Sequence, residues 1–313
     1  MDLAKLCTSG RNTLYADTRN DFDAVRDGGR FVVVRLGNDR DEDFLKALLR
    51  RMQGVHEVLS IDGLLLVFNG NEDFGRGSVT LDRVRFPSDF PVKVLEVTGD
   101  RSTQEGTHTA NAPLAYLKNC HGISQGHVWY VSGDVEIDLA SLRNAVPHMR
   151  QHDFVPFASV RREPAYCAPE GDFILWRRRA DDALHSIYWS INDNNPTVAA
   201  STYTAMYLQR VCRNTCQAWS LSHLLERRGF DPRCNEWGCP EAAAHLAWLA
   251  YRKQFLIRDL PLVEYVDPNL ISNDTAVWQR QSDKLMTELE AIRRMITAYV
   301  RSGVDFLIPD FDW

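Results

Sequence analysis

The stretch Gly29–Gly70, GRFVVVRLGNDRDEDFLKALLRRMQGVHEVLSIDGLLLVFNG, carries both periodicities of regular structure. Phe31 to Leu36 is a short apolar run rich in valine, which suits a strand buried on both faces. Gly37-Asn38 breaks it, and Asn38, Asp39 and Asp41 offer helix N-caps, with Glu42 and Asp43 adding negative charge to the first turn. Phe44, Leu45, Leu48, Leu49 and Met52 then recur at helical spacing and make one apolar face. Arg50 and Arg51 are expected in the last turn, with Gly54 ending the helix. Val55–Ile61 and Leu64–Phe68 read as two strands, and Asp62-Gly63 between them is a hairpin signal.

This pattern predicts an α+β fold: an N-terminal mixed or antiparallel sheet region built on a ferredoxin-like βαββ unit, followed by a C-terminal helical bundle. RNA-recognition modules share that layout, but they need stacking aromatics where Leu64–Phe68 is mostly aliphatic. Residues 1–28 read as a wrapped arm or short helices, and Gly99–Asn111 as a polar loop. Pro113–Cys120 reads as a short helix, and His127–Val131 and Val135–Leu139 as strands joined around Ser132-Gly133-Asp134. Ser141–Arg150 is expected as a broken helix because of Pro147. Phe154–Val160, Phe173–Trp176 and Ser186–Ile191 are further strand candidates. The polar turn Asn192–Pro196 divides a sheet region, 1–196, from a helical region, 197–313. Helices are expected over Val198–Arg228, Pro240–Leu256 and Asp274–Arg301. The last carries an apolar seam of Leu285, Leu289, Ile292, Ile296 and Tyr299.

The 313 residues are 44% hydrophobic and 25% charged, as in an ordinary globular protein. No apolar run reaches the roughly 18 residues of a bilayer span, so no membrane association is expected. The start, MDLAKLCTSGRN, lacks a signal-peptide core, and seven cysteines is an odd number, so a cytoplasmic protein with free thiols is expected. A net charge of −6 argues against a general nucleic-acid surface. Of the 36 basic residues only six are lysine, and eight tryptophans are present, a usage that favours contact surfaces.

Three constellations could carry chemistry. Cys212 and Cys216 would lie one turn apart on the predicted helix, His223 on the same face, and Cys234 and Cys239 in a loop able to fold over it. With His223 or His245 as substitutes, these are candidate zinc ligands. Arg161-Arg162 and Arg177-Arg178-Arg179 near Trp176 could hold a phosphate or an acidic partner. Gly122-Ile123-Ser124 is followed by Asp134-Val135-Glu136-Ile137-Asp138, whose strand alternation would send three carboxylates to one face. That pair of motifs resembles the signature of polymerase-β-like nucleotidyltransferases. The resemblance implies that the Ser124 turn holds triphosphate and that Asp134 and Glu136 hold magnesium.

The C-terminal segment Val304–Trp313 alternates aromatics and carboxylates. Phe306, Phe311 and Trp313 would be anchors for a groove on another protein. No nucleophile elbow, P-loop or dinucleotide fingerprint is present. The sequence therefore predicts a non-catalytic structural or interaction subunit of a larger multi-protein assembly, such as a viral or phage particle. It would need no cofactor, and its partners would be protein subunits met through the tail and helices. The alternatives are a zinc-stabilised protein binding RNA or an acidic partner, and the nucleotidyltransferase.

Overall fold

The computed structural model describes residues 3–9, 12–19, 22–36, 42–69, 83–98, 107–133, 135–151, 154–156, 160–164, 216–226, 229–230 and 262–266. Its centre is set by four apolar segments that cannot face water on either side. These are β3 (Arg30–Leu36), β4 (Gly63–Asn69), β5 (Val92–Thr98) and β6 (His127–Ser132). They pair in the order β5-β4-β3-β6, all parallel. The antiparallel strands β2 (Asn12–Asp17) and β1 (Leu3–Ser9) extend the β5 side. On the β6 side the antiparallel strand β10 (Cys216–Ser220) follows, and then β8 (Phe154–Pro156), for eight strands in all. A second, three-stranded sheet joins β7 (Val135–Ile137), β11 (Leu262–Val266) and β9 (Val160–Pro164).

Strand alternation divides the core in two. Val32, Val34, Leu64, Leu66, Val92, Val94, Trp129 and Val131 point to one face. There they meet Leu45, Leu48, Leu49, Met52, Val55 and Leu59 of α1 (Glu42–Leu59). Phe31, Val33, Leu65, Val67, Leu95, Val128 and Tyr130 point to the other. That face is covered by α2 (Thr107–Ala115) and the π-helical turn Tyr116–Cys120. Helices therefore cover both faces of an open, largely parallel sheet. α3 (Leu139–Gln151) contributes Leu142 to the α1 side, and the short α4 (Leu221–Glu226) contributes Leu221 and Leu224 to the α2 side.

The mixed sheet expected for the N-terminal region of an α+β fold is present, but the ferredoxin-like unit is not what these residues build. α1 runs through Gly54 to Leu59, so residues 55–59 of the expected strand are helix and no hairpin follows. Gly54 is there for packing, because a Cβ would lie 3.0 Å from Leu139 Cδ1. The Asp62-Gly63 pair also has packing duties. The Asp62 carboxylate accepts from the Arg30 amide at 2.8 Å, and a Cβ on Gly63 would lie 2.4 Å from the buried Phe22 ring. β4 then pairs parallel to β3, which a hairpin forbids.

Residues 3–9 and 12–17 form an edge hairpin rather than an arm or helices. The helix expected over 198–228 is corrected too: Cys216–Ser220 is a strand inside the main sheet, and only Leu221–Glu226 is helical among its described residues. The helices expected over 240–256 and 274–301, and the strands over 173–176 and 186–191, lie outside the described residues. Among the described residues, no helix is long and apolar enough to cross a membrane.

The amino ends of β3 and β6 are tied by backbone. The His127 amide donates to Gly29 O at 2.9 Å, and the Gly28 amide to Gln125 O at 3.1 Å. Gly126 sits between them at φ +118°, where a Cβ would lie 2.1 Å from Gly29 O. Gly126→Ala should therefore cost about 3 kcal/mol or more, because backbone must move as well as φ. Gly122→Ala, at φ +66° with no atom within 4 Å of the added Cβ, should cost only roughly 1–2 kcal/mol. Urea unfolding of the two variants checks the difference, and equal losses would contradict it.

Candidate functional site

Strand order reverses between β3 and β6. The chain leaves β3 towards β4 and β5 on one side, while β6 lies on the other. In open sheets of this kind the two connections diverge at such a point and leave a crevice outside the carboxyl ends of the strands. Here that rim comprises Leu36 at the end of β3 and the Ser132-Gly133 end of β6, with β7 starting at Val135. Arg35 pairs with Ser132, which sets Leu36 level with the Gly133 turn. Across the sheet, Leu36 pairs with Phe68 and Phe68 with Glu96, so one row of residues crosses the carboxyl ends.

Side chains of α1 hold the turn. Arg51 Nη2 donates to Gly133 O at 2.5 Å. Gly133 itself is buried, and a Cβ on it would lie 3.0 Å from both Leu36 Cδ2 and Phe44 Cζ. After β7, the Asp138 carbonyl accepts from the Leu142 amide at 2.9 Å and opens α3. Asp134 lies outside the described residues. Glu136 is in β7, where its backbone pairs with Val263 of β11.

Glu96 is a buried carboxyl in that row, 7% exposed, and burial pushes its pKa from 4.5 to about 7. Towards the other end of β5, Lys93 is equally buried but compensated. Its Nζ lies 3.0 Å from Asp17 Oδ1 and also donates to the Arg19 carbonyl. Arg19 in turn donates Nε to Asp17 Oδ2 at 2.6 Å and covers the Phe86 ring.

The sequence-predicted sites fare differently. The Gly122-Ile123-Ser124 turn lies at the amino end of β6, where the amides of Ser124 and Gln125 donate to Asp27 Oδ1 at 2.8 and 2.6 Å. Those bonds hold the Asp27 carboxyl below its ordinary pKa. The six residues of β6 separate this turn from the one before β7 by about 20 Å. Ser124 therefore cannot serve phosphates whose metal sits on Asp134 and Glu136, and the polymerase-β-like arrangement is corrected on that ground.

The helix expected to carry Cys216 and His223 on one face is corrected: Cys216 is in β10, paired with Val131 in the sheet, and His223 is in α4. Cys212, Cys234, Cys239 and His245 lie outside the described residues, as do Arg177–Arg179, Phe306, Phe311 and Trp313. Among the described residues, no group of three or more His, Cys, Asp or Glu is placed to hold a metal. Arg51, Phe44 and Glu96 went unnoticed as site residues. Only the charge of Arg51 amid the apolar helix face marks it, and its partner is 82 residues away.

No family model matches the chain, and no curated relative matches it. Among solved structures it is similar to a mannosyltransferase from Pyrobaculum calidifontis in complex with GDP-Man and Mn2+. The identity is 14% over 90% of this chain and 78% of that one, with a TM-score of 0.43. It is also similar to the Mycobacterium tuberculosis protein Rv0371C in complex with manganese, at 11% identity over 82% of this chain and all of that one, with a TM-score of 0.36. A further mycobacterial protein matches at 15% identity over 90% of this chain and 76% of that one, with a TM-score of 0.42.

The expectation of a non-catalytic structural, virion or interaction subunit is withdrawn against these findings. The similar structures named above include a mannosyltransferase in complex with GDP-Man and Mn2+ and a manganese complex, not a particle component.

The raised pKa of Glu96 makes stability depend on pH. Its acid form is favoured in the fold, so its contribution is intact below pH 4.5 and is lost as pH rises through about 7. Glu96→Gln should therefore gain on the parent chain by roughly 3 kcal/mol at pH 8 and match it at pH 4. Unfolding midpoints at the two pH values test this, and a difference that does not change with pH would refute it.

Proposed function

We propose that the chain is a transferase that binds a nucleoside diphosphate-linked donor, with a divalent cation, in the crevice outside β3 and β6. The observation that carries this reading is the reversal of strand order in a parallel sheet covered by helices on both faces. The donor set supports it. Asp134 and Glu136, which follow β6 in the sequence, carry hard oxygen donors suited to Mg2+ or Mn2+ rather than to zinc. A bound cation would neutralise phosphate charge and stabilise a diphosphate leaving group. Arg51 of α1 donates to the carbonyl of Gly133, the residue that precedes Asp134 in the sequence. Within this reading Ser124 has no catalytic role.

The first ligands to test are GDP-mannose, UDP-glucose and their free diphosphates, each with and without Mn2+, by titration calorimetry on the full chain. Micromolar, Mn2+-dependent binding of at least one is expected. Asp134→Asn should weaken it at least about tenfold, with the far-UV spectrum unchanged. Absence of binding to every nucleotide tried, or binding indifferent to Asp134 and to Mn2+, would overturn the proposal.

A further inference from the structure

Building on the transferase reading, we propose that Glu96 is a ligand-binding carboxyl that reads the hydroxyl groups of a sugar ring. Val92 and Val94 point to the α1 side of the sheet, so strand alternation puts Glu96 on that side as well. Its register partners are Phe68 of β4 and Tyr15 of β2. Phe68 belongs to the core that α1 covers. Tyr15 stands between Leu14 and Ala16, which point to the other side, so it shares a face with Glu96. Tyr15 is half-buried, and its own partner, Lys5 of β1, is exposed. Among the described residues, Glu96 therefore lies where this face passes from helix-covered to open, in the row at the carboxyl ends of the parallel strands. That is the side of such a sheet on which ligands bind.

The two charged residues of β5 are provided for differently. Lys93, towards the amino end, meets the Asp17 carboxylate at 3.0 Å and the Arg19 carbonyl, so the fold itself compensates its burial. Glu96 is more than nine-tenths buried, and among the described residues it has neither an ion-pair nor a hydrogen-bond partner. The side chains that α1 turns to this face are apolar. A buried polar group left without a partner points to a ligand or a chemical role. Burial favours the neutral acid, which donates one hydrogen bond and accepts another. Neighbouring ring hydroxyls supply the matching acceptor and donor. A divalent cation would need further oxygen ligands, and among the described residues no group of three or more His, Cys, Asp or Glu is placed to provide them.

A sugar ring could belong to the nucleoside or to the transferred group, and the test separates the two. It uses the full chain with Glu96→Gln, which keeps one donor and one acceptor in the same shape, and Glu96→Met, which keeps the length and removes both. Calorimetry at pH 6 with Mn2+ measures binding of GDP, 2′-deoxy-GDP and GDP-mannose. Glu96→Met should weaken GDP-mannose at least about tenfold, while Glu96→Gln binds like the parent. A loss shared by GDP that spares 2′-deoxy-GDP assigns the ring to the ribose. A loss confined to GDP-mannose assigns it to the transferred sugar.

Unchanged affinities in Glu96→Met, with the parent chain binding normally, would overturn the role of Glu96 and leave the transferase reading standing. Equal losses for all three ligands would mean that no ring hydroxyl is read, and would also overturn it. So would an unfolding midpoint of Glu96→Met well below the parent's at pH 8, since the carboxyl would then be serving the fold. A parent chain that binds none of the three would remove the transferase reading, and this role with it.

Discussion

Burial of both faces of β5-β4-β3-β6 is the constraint from which the rest follows. A strand covered on one face can alternate apolar and polar residues, but these four cannot. Val32–Val34 and Leu64–Val67 are at most 1% exposed, so each residue needs a neighbour above or below the sheet. That need sends α1 to one face and α2 with its π turn to the other. It also decides where chemistry can occur. Polar groups can leave such a core only at strand ends, and the two charged residues inside β5 show what happens otherwise. Lys93 is matched by Asp17 and by backbone carbonyls. Among the described residues no cation pairs with Glu96, and its pKa rises towards neutrality instead.

The parts of this arrangement that local sequence encodes were readable in it. The valine run of β3, the leucine run of β4 and the amphipathic stripe of α1 follow from periodicity alone. What failed was every inference in which a distant group decides. Asp62-Gly63 has the composition of a hairpin turn, yet Gly63 is required by the Phe22 ring and Asp62 by the Arg30 amide. Gly54 looks like a helix stop, yet a Leu139 side chain packs against it in mid-helix. Cys216–Ser220 lies in a helix-like window, but its hydrogen bonds to β6 and β8 are worth more than local propensity. Trp219 gains further from edge-to-face contact with Phe230, and Asn111 ties that residue down through both of its backbone groups.

The candidate site divides along the same line. Asp134 and Glu136 are candidates from a local pattern alone, carboxylates alternating after an apolar strand. The pairing with Ser124 was not a sound inference, because twelve residues or fewer in sequence can still span the length of a strand. Arg51 could not be found at all without the register, since nothing near it in the chain refers to Gly133.

The two ends of β6 are built from different materials. At the amino end the closure is backbone on backbone. Gly126 lies against Gly29, the His127 and Gly28 amides are both bonded, and the Asp27 carboxylate is occupied by two amides. Nothing there can shift without breaking the sheet, and the local acid is already used as an internal cap. At the carboxyl end, among the described residues, side chains hold the Gly133 turn: a guanidinium on its carbonyl, and a leucine and a phenylalanine against the glycine.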